Sequence, residues 1–301
     1  MGENLNMINY IKLLRVKHWI KNLFIFLPMF FAGEFLGTQY WARLIAGFFA
    51  FSFMASAVYI LNDYRDIEND RLHPEKSKRP LASGKVKPHF ALVFFIVLII
   101  TGLVTAWICS TGFFLICVFY LVLNVFYSFG LKSIAILDVM IVAVGFNLRI
   151  KAGGILGDID LSSWINVMVF LLALFMAVGK RRDDILIKES SGLSMRKSLS
   201  GYNLAFLDTW IGVLSGIIIV SYLMYTMSPV VITRLGTYRL YYTAIFVIAG
   251  LMRYMQLVFI ANDSSSPIKV IYKDRFIQVV LLLWIISYFV IIYLPDDPIF
   301  R

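Results

Sequence analysis

The sequence WARLIAGFFAFSFMASAVYILNDYRDIEND occupies residues 41–70 and joins a long apolar run to a cluster of acids. Its apolar part has the length of about 20 residues that a helix needs to cross a bilayer. If this helix continues past its membrane end, Asn62, Asp66 and Asp70 fall at positions i, i+4 and i+8 and share one face, with Asp63 beside them. Stacked carboxylates repel one another, so the pattern favours a bound divalent cation such as Mg²⁺.

The composition places the chain among membrane proteins. Of its 301 residues, 60% are hydrophobic and 15% are charged, and its mean hydropathy is +0.81. A soluble domain has roughly 45–50% apolar and 25% charged residues, so we predict a multi-spanning membrane protein. Membrane topology explains the net charge of +10, and we expect no nucleic-acid binding, because the sequence has no basic module interleaved with aromatic residues outside the apolar runs. Cys109 and Cys117 lie in apolar runs and are expected to be small buried hydrophobes.

Windows of about 20 residues indicate a series of candidate membrane spans. The nine spans lie at roughly 20–37, 41–61, 89–109, 112–129, 134–152, 163–179, 205–227, 240–261 and 276–294. We therefore predict an all-α fold, a polytopic bundle of nine transmembrane helices. We expect a single domain over residues 1–301, with two long loops at 62–88 and 180–204.

The distribution of cations orients the predicted bundle. One side holds 21 of the 28 lysines and arginines, in the N-terminal segment and in the loops that follow the even-numbered spans. Cytoplasmic loops carry the excess of Lys and Arg, so we expect the N-terminus and both long loops to be cytoplasmic. We expect the protein itself to lie in the cell inner (plasma) membrane. We expect no cleaved signal peptide, because cleavage near Gly33 would remove the basic segment Arg15–Asn22.

Both predicted cytoplasmic loops are rich in cations. The stretch 71–80 is too densely basic to serve orientation alone, and Lys76 and Arg79 are candidate phosphate ligands. The second loop begins with the sequence KRRDD at 180–184, three cations followed by a compact acidic pair. A second metal pair would need widely spaced carboxylates, so we expect this loop to hold negative charge directly. An ordinary positive-inside patch is the alternative.

Other charged residues lie near or inside the apolar runs, where a charge is costly and is a functional candidate by default. We expect Arg149 to line a cavity, whereas Lys151 is expected to extend to the membrane interface. Lys132 stands in the short loop between the fourth and fifth spans. Asp274-Arg275 opens the ninth span, either as an ion pair that closes the site or as a helix cap.

Missing motifs exclude several enzyme classes. The sequence contains no GxSxG nucleophile, no HExxH zinc motif, no P-loop and no Rossmann glycine pattern. Nucleotide hydrolysis and redox chemistry are therefore not expected.

The motif NDxxDxxxD at 62–70 and the pattern RxHPxKxxRPxAxG at 71–84 resemble the UbiA superfamily of intramembrane prenyltransferases. Within it, the chain is most similar to the decaprenyl-phosphate (polyprenyl-phosphate) phosphoribosyltransferase branch. Other segments that match this branch are Arg15–Asn22, Tyr59, Asn147-Leu148-Arg149, Gly179-Lys180-Arg181, Arg196-Lys197-Ser198 and Asp274-Arg275.

The resemblance implies transfer of a 5-phosphoribosyl group from 5-phosphoribosyl 1-diphosphate to a polyprenyl phosphate, with Mg²⁺ as cofactor and release of diphosphate. It implies that Asn62 and Asp66 bind Mg²⁺ and that Asp63, Asp66 and Asp70 are the catalytic carboxylates. The substrate-binding residues that it implies are Lys17, Lys21, Tyr59, Lys76, Arg79, Lys132, Arg149, Lys180, Arg181 and Asp184. The expected partners are the two substrates, the bilayer and further copies of the chain, with a trimer as the candidate homo-oligomer.

Two other functions stay open. A conventional enzyme of the superfamily would move a prenyl group from a prenyl diphosphate to an aromatic acceptor, and it would carry a second, widely spaced acid motif after the sixth span. Here Asp183 and Asp184 are adjacent. A transporter or flippase for lipid phosphates would need access from both faces, whereas the charged residues of this chain crowd the predicted cytoplasmic side.

Overall fold

The computed structural model describes residues 2–37, 39–72, 76–191, 197–260, 270 and 273–294. Regular structure within these ranges is helical throughout. The α-helices are α1 Gly2–Leu14, α2 Leu27–Phe31, α3 Trp41–Arg65, α4 Ile67–Arg71, α5 Pro88–Cys109, α6 Thr111–Phe129, α7 Leu137–Leu156, α8 Ser163–Ser191, α9 Leu204–Thr226, α10 Pro229–Leu235, α11 Ala244–Phe259 and α12 Arg275–Tyr293. Short 3-10 helices are found at Val16–Phe26, Lys76–Lys78, Leu131–Ser133, Lys197–Gly201 and Arg239–Thr243.

Eight helical segments of the described chain are long and apolar enough to cross a membrane. They are α3, α5, α6, α7, α8, α9, the continuous run of a 3-10 helix and α11, and α12. Lipid solvates their outward faces, which explains why many large apolar side chains of α5 and α12 remain exposed in the protein itself. These segments confirm the predicted all-α, multi-pass membrane fold.

The first predicted span, at roughly 20–37, is not one continuous helix. It consists of the 3-10 helix Val16–Phe26 followed by the five-residue α2. Pro28 has no backbone N–H and cannot donate to the preceding turn, and Gly33 adopts a positive φ of 77° beyond the helix end. Asn22 also donates to Ser52 Oγ of α3 at 2.8 Å. Side-chain hydrogen bonds to α3 therefore help to stabilise this segment, which lacks the continuous backbone hydrogen bonds of one long α-helix.

The chain divides into two compact units, and each is described by itself. Unit 1 comprises residues 1–29, 37–131 and 148–160, and unit 2 comprises residues 30–36, 132–147 and 161–301. The first part of α7 belongs to unit 2 and its last nine residues, 148–156, belong to unit 1. That the whole chain is a single domain remains a prediction.

Close backbone packing holds the 3-10 segment Val16–Phe26 within unit 1. A Cβ added to Gly153 of α7 would lie 2.0 Å from the carbonyl oxygen of Ile25, so no side chain fits there. Two serines of α3, one turn apart, also bind this segment. Ser52 Oγ accepts from Asn22, and Ser56 Oγ accepts from Trp19 Nε1 at 3.0 Å. These contacts place Lys17 and Lys21 beside α3.

Unit 2 is built mainly on α8, α9, α11 and α12. Its apolar core joins residues of α8, α9 and α11, among them Phe175, Ile211 and Tyr254. At the C-terminal end of α9, Tyr222 Oη accepts from Trp284 Nε1 at 2.8 Å and meets Thr243 Oγ1 at 2.6 Å. These buried polar atoms are therefore paired, as the apolar interior requires.

Candidate active site

The acidic motif lies where α3 ends, and the helix does not run on through it. Asp66 has φ −97° and ψ 7°, and the short helix α4 begins only after it. The expectation of one continuous helix through Asp70 is therefore wrong, although the backbone N–H of Asp70 donates to the Asp66 carbonyl at 2.7 Å. That Asn62, Asp66 and Asp70 share one face stays a prediction. Asn62 and Asp66 are still one turn apart, because the backbone N–H of Asp66 donates to the Asn62 carbonyl at 3.0 Å.

The structure brings together Asp63 and Asp70 through Arg79, and Arg15 also binds Asp63. Oδ1 of Asp63 accepts from Arg15 Nη2 at 2.5 Å and from Arg79 Nη1 at 3.0 Å. The same Nη1 of Arg79 donates to Asp70 Oδ2 at 2.6 Å. Both carboxylates are buried, and burial of a charge requires a partner. Arg15, Asp63, Arg79 and Asp70 therefore form a continuous series of ion pairs in unit 1, the arginine–carboxylate cluster.

Arg15 is held in an unusual backbone conformation. Its φ of 51° and ψ of 45° are left-handed, which is uncommon for a residue with a side chain. This conformation separates α1 from the 3-10 segment, and the His18 N–H donates to the Arg15 carbonyl at 2.7 Å. The Arg15 guanidinium also lies 4.9 Å from the ring centre of Tyr59, a cation–π contact. Tyr59, predicted from the sequence as a substrate-binding residue, is thus placed next to the cluster.

The predicted basic ligands of unit 1 lie around this cluster to different depths. Lys17 is exposed on the 3-10 segment, whereas Lys21 and Lys76 are half-buried. Lys21 lies on the 3-10 segment Val16–Phe26, which comes before the eight membrane-spanning segments in the sequence. Burial, followed by the positive charges of Arg149 and Arg15, lowers the pKa of Lys21 to about 8. A lysine whose pKa is lowered by neighbouring cations lies at a site that favours an anion.

Arg149 lies inside unit 1 among polar and aromatic side chains and is only 6% exposed. Its Nε donates to Asn22 Oδ1 at 2.8 Å, and its Nη2 lies 3.5 Å from Tyr120 Oη. The guanidinium is 4.7 Å from the ring centre of Phe51 and 5.3 Å from that of Tyr120. The sequence predicted a cavity role for Arg149. The structure places it in a deep, fixed position close enough to Lys21 to lower the pKa of that lysine.

The side chains of residues 62–70 suit a hard divalent cation in their chemistry. They offer amide and carboxylate oxygens, which Mg²⁺ prefers. Asn62 Nδ2 donates to the Val58 carbonyl at 3.1 Å, a hydrogen bond that does not use Oδ1. In the part of the chain that the structure describes, no three His, Cys, Asp or Glu side chains gather into a complete metal site. Because Mg²⁺ keeps several water or substrate oxygens, a pair such as Asn62 and Asp66 fits it.

Unit 2 holds the charged residues of the second loop in a separate network. Asp138 of α7 is fully buried and accepts from Arg181 Nε at 2.7 Å, Ser198 Oγ at 3.0 Å and Tyr202 Oη at 2.6 Å. Arg181 Nη1 also donates to Asp184 at 2.5 Å. Burial, with the hydrogen bond to Asp138, raises the pKa of Tyr202 above its usual value. Arg181 and Asp184, both predicted substrate-binding residues, are thus paired with each other.

The remaining predicted ligands of unit 2 are more accessible. Lys180 is exposed and Lys132 is half-buried in the 3-10 turn Leu131–Ser133. Arg182, which we did not predict as a ligand, is 7% exposed and pairs with Asp208 through Nε at 2.6 Å. The substrate-binding roles of Lys132, Lys180, Arg181 and Asp184 remain predictions. His73 and Arg196, which belong to the matching motifs, lie outside the described residues.

Asp274 caps α12 and binds an arginine. Its Oδ1 accepts from the Ile277 N–H at 2.9 Å, and its Oδ2 accepts from Arg253 Nη2 at 2.8 Å. The hydrogen bond from Arg253 lowers the pKa of this carboxyl. The helix-cap alternative is therefore confirmed, and the ion-pair partner of Asp274 is Arg253, not Arg275.

Sequence reasoning missed several residues that the structure makes central. The sequence marks Arg15 only as part of a basic segment, and none of the motifs includes Tyr120, Asp138 or Tyr202. Asp138 carried a usable signal, since it is an acid at the start of an apolar run, where an unpaired charge is costly. Tyr120 lies in an apolar run rich in aromatic residues, and only the fold distinguishes it from its neighbours.

Fold and site together define the class: a helical, multi-pass membrane protein with a cluster of arginines, lysines and carboxylates at the end of a membrane-spanning helix. A model of the UbiA prenyltransferase family matches residues 23–280. The chain belongs to this family, which confirms the resemblance drawn from the 62–70 motif.

Individual relatives support the same assignment. The chain is 31% identical to decaprenyl-phosphate phosphoribosyltransferase of Mycolicibacterium smegmatis, over 91% of this chain and 89% of that protein. It is 32% identical to the protein of the same name from Corynebacterium glutamicum, over 94% of this chain and 86% of that protein. The structure of a UbiA homolog from Archaeoglobus fulgidus bound to DMAPP and Mg2+ matches with a TM-score of 0.70 at 19% identity, covering 95% of this chain and 99% of that one. This structural likeness shows the UbiA-like fold.

Proposed function

We propose that this membrane protein transfers a 5-phosphoribosyl group from 5-phosphoribosyl 1-diphosphate to a polyprenyl phosphate and releases diphosphate. The observation that carries the proposal is that unit 1 holds an acidic motif paired with Arg15 and Arg79 together with two further cations, the half-buried Lys21 and the buried Arg149. Lys21 and Arg149 lie deep enough, and close enough together, to depress the pKa of Lys21 to about 8. A reaction between two phosphorylated substrates needs such an excess of positive charge. The relatives in Mycolicibacterium and Corynebacterium, both named decaprenyl-phosphate phosphoribosyltransferase, support the same substrates.

The acidic motif would hold Mg²⁺ together with the diphosphate of the sugar donor. Asn62 and Asp66, one turn apart, are the proposed metal ligands, with Asp63 and Asp70 as supporting carboxylates. When bound, the metal would neutralise the developing charge of the diphosphate leaving group. The chain's own cations also neutralise this charge. Arg79 and Lys76 bind the diphosphate from the loop after α4, and Lys17 of the 3-10 segment and Tyr59 of α3 bind the donor.

The lipid phosphate acts as the nucleophile without a general base. A phosphate monoester with a second pKa of about 6 is largely dianionic near pH 7. Its oxygen bonds to ribose C1 while the bond from C1 to the diphosphate oxygen breaks, and the electron pair leaves with diphosphate. Arg149 is fixed by Asn22 and by aromatic faces, so it can hold the phosphate in one position, and Lys21 supplies a second charge. Lys132 and Lys180 are assigned to substrate phosphates in the same hypothesis.

The lipid tail would lie along the apolar spans, within the bilayer. We place the N-terminus and the acidic motif on the cytoplasmic side of the plasma membrane, because most lysines and arginines fall on that side of the predicted topology. A soluble, charged sugar donor would then reach the site from the cytoplasm. We also propose that the chain assembles with copies of itself, with a trimer as the candidate.

Incubation of the purified protein with labelled 5-phosphoribosyl 1-diphosphate, Mg²⁺ and a polyprenyl phosphate tests the proposal. Label in the lipid fraction, dependent on all three components and lost in Asp66→Ala, is the expected result. Full turnover by a folded Asp66→Ala variant would contradict the metal assignment.

The same preparation distinguishes the alternatives. If the lipid stays unlabelled while a prenyl diphosphate alkylates an aromatic acceptor, the protein is a conventional prenyltransferase, a function that the family match also supports. If a polyprenyl phosphate crosses a liposome bilayer without chemical change, the protein is a flippase. Either outcome replaces the proposed reaction.

A further inference from the structure

We propose that Arg15 and Arg79 compete with the divalent cation for the carboxylates of Asp63 and Asp70, and that both guanidinium groups pass to the diphosphate when metal and diphosphate bind together. The inference rests on the proposed function, because it assigns a second role to the cations of the proposed site. Arg79 then serves in turn as the counterion of the carboxylates and as a ligand of the substrate. Arg15, which the sequence did not single out, becomes a further substrate ligand.

The first support is the way in which the arginines contact the acids. Arg15 and Arg79 converge on the same oxygen, Oδ1 of Asp63. Arg79 reaches Asp63 and Asp70 through one atom, Nη1. The stronger arrangement of a guanidinium and a carboxylate is bidentate, with two parallel donors, one to each oxygen. These single-atom contacts leave the second oxygen of each carboxylate outside both ion pairs, as an exchange of partners requires.

The second support is the depth of the groups. The side chains of Asp63 and Asp70 are 3% and 6% exposed, whereas those of Arg15 and Arg79 are 20% and 29% exposed. The carboxylates are therefore fixed in the interior, and the arginines lie over them on the solvent side. A guanidinium in this position can turn toward an incoming anion without unfolding its neighbours, because its long side chain carries the movement.

The third support is the balance of charge. Two carboxylates and two guanidinium groups already neutralise one another in the cluster. A dication that arrives alone meets two guanidinium groups bound to the supporting carboxylates of Asp63 and Asp70, so like charges oppose its binding. A dication that arrives with diphosphate brings the anionic oxygens that the displaced arginines need. The cluster therefore favours the metal–diphosphate pair over the free metal.

Metal binding measured without turnover tests the exchange. Mn²⁺, a paramagnetic stand-in for Mg²⁺, is titrated into the full-length protein in detergent with and without inorganic diphosphate, and free Mn²⁺ is followed by electron paramagnetic resonance. The variants are Arg79→Gln and Arg15→Gln, with Lys85→Gln as the control for loss of one charge from an exposed lysine of the same loop. A thermal unfolding curve for each variant excludes misfolded protein.

The expected result has opposite signs under the two conditions. Without diphosphate, Arg79→Gln binds Mn²⁺ more tightly than the parent, by roughly tenfold, the scale of removing a partly screened like charge. With diphosphate, the same variant binds Mn²⁺ more weakly than the parent. Arg15→Gln changes in the same two directions, and Lys85→Gln stays near the parent in both titrations. A merely structural arginine would weaken both.

Two outcomes overturn the inference, and they differ in what they say of the proposed function. If the parent binds Mn²⁺ and the arginine variants bind it no more tightly without diphosphate, the exchange is wrong while the metal site stands. If the parent binds no Mn²⁺ under either condition, the metal site of the proposed function fails, and the exchange fails with it. Because Arg79→Lys keeps the charge, it should follow the parent without diphosphate, which guards against an effect of side-chain size alone.

Discussion

Removal of the Asp138 carboxylate should destabilise the protein, because Arg181 would lose a fully buried counterion. Asp138 accepts three side-chain hydrogen bonds, from Arg181, Ser198 and Tyr202, at 2.7, 3.0 and 2.6 Å. Breaking a buried ion pair from one side costs about 3–5 kcal/mol. Arg181 keeps Asp184 as a partner at 2.5 Å, so we expect Asp138→Ala to lie near the lower end of that range. Asp138→Asn, which keeps an acceptor but loses the charge, should cost about 1–3 kcal/mol.

The measurement is reversible unfolding in mixed micelles, read as the free energy of unfolding. Glu68→Ala is the matched control, because Glu68 forms an exposed pair with Arg71 and such pairs contribute about 0–1 kcal/mol. The same variants are then assayed for the Michaelis constant of the sugar donor. If Asp138→Ala lowers the free energy of unfolding by less than about 1 kcal/mol but sharply raises the Michaelis constant of the sugar donor, the structural role of the Asp138–Arg181 pair is refuted. Arg181 would then be a substrate ligand rather than a support for the second loop.

Three further changes test other parts of the structure. Gly153→Ala should destabilise by about 1–3 kcal/mol in the same unfolding assay, because the new Cβ meets the Ile25 carbonyl oxygen at 2.0 Å; Gly212→Ala, with no atom within 4 Å, should be tolerated. The affinity for a short prenyl phosphate should fall as pH rises through about 8, since the lysine at position 21 is protonated below its pKa and loses its charge above it; Lys21→Arg should abolish this dependence. Arg149→Leu should lower phosphoribosyl transfer roughly a hundredfold or more, the scale of losing a charged stabilising group, while Arg149→Lys retains part of the activity.

Each of these predictions has a contrary outcome. Equal stability of the Gly153 and Gly212 variants would mean that the 3-10 segment yields to a side chain. A pH profile of binding that is unchanged in Lys21→Arg would remove Lys21 from the anion site. Unchanged turnover with Arg149→Leu would assign Arg149 to packing alone.

Much of the fold could be predicted because hydrophobic length is a local property. The apolar runs locate the eight long helices to within a few residues at most ends, as the predicted span 112–129 and the observed α6 illustrate. The run at 20–37 was the exception. Its hydrophobicity is sufficient for a span, but Pro28 interrupts the hydrogen-bond ladder, and Asn22 and Trp19 bond to serines of α3 instead. Hydropathy counts apolar side chains and does not register such contacts.

The acidic motif was found from its residues, but its internal geometry was not. The sequence identified Asn62, Asp63, Asp66 and Asp70 as a group, because three of them recur at helical spacing at the end of a membrane span and the fourth lies beside them. The helix break at Asp66 depends on backbone angles that many residues can adopt. The convergence of Arg15 and Arg79 on Asp63 depends on segments that lie 48 and 16 residues away along the chain.

The sequence by itself determined that this protein is a membrane-embedded helical bundle of the UbiA type, with acids and cations gathered at helix ends. The hydrophobicity of each apolar run and the cost of a charge in lipid depend on residue type alone, so they can be read from the sequence. Only the tertiary structure decided which charge neutralises which: Arg79 between Asp63 and Asp70, Arg181 between Asp138 and Asp184, and Arg149 among Asn22, Phe51 and Tyr120. The physical reason is that ion pairs and hydrogen bonds act over a few ångströms in space, and the distance between two residues in space is set by the fold rather than by their separation along the chain.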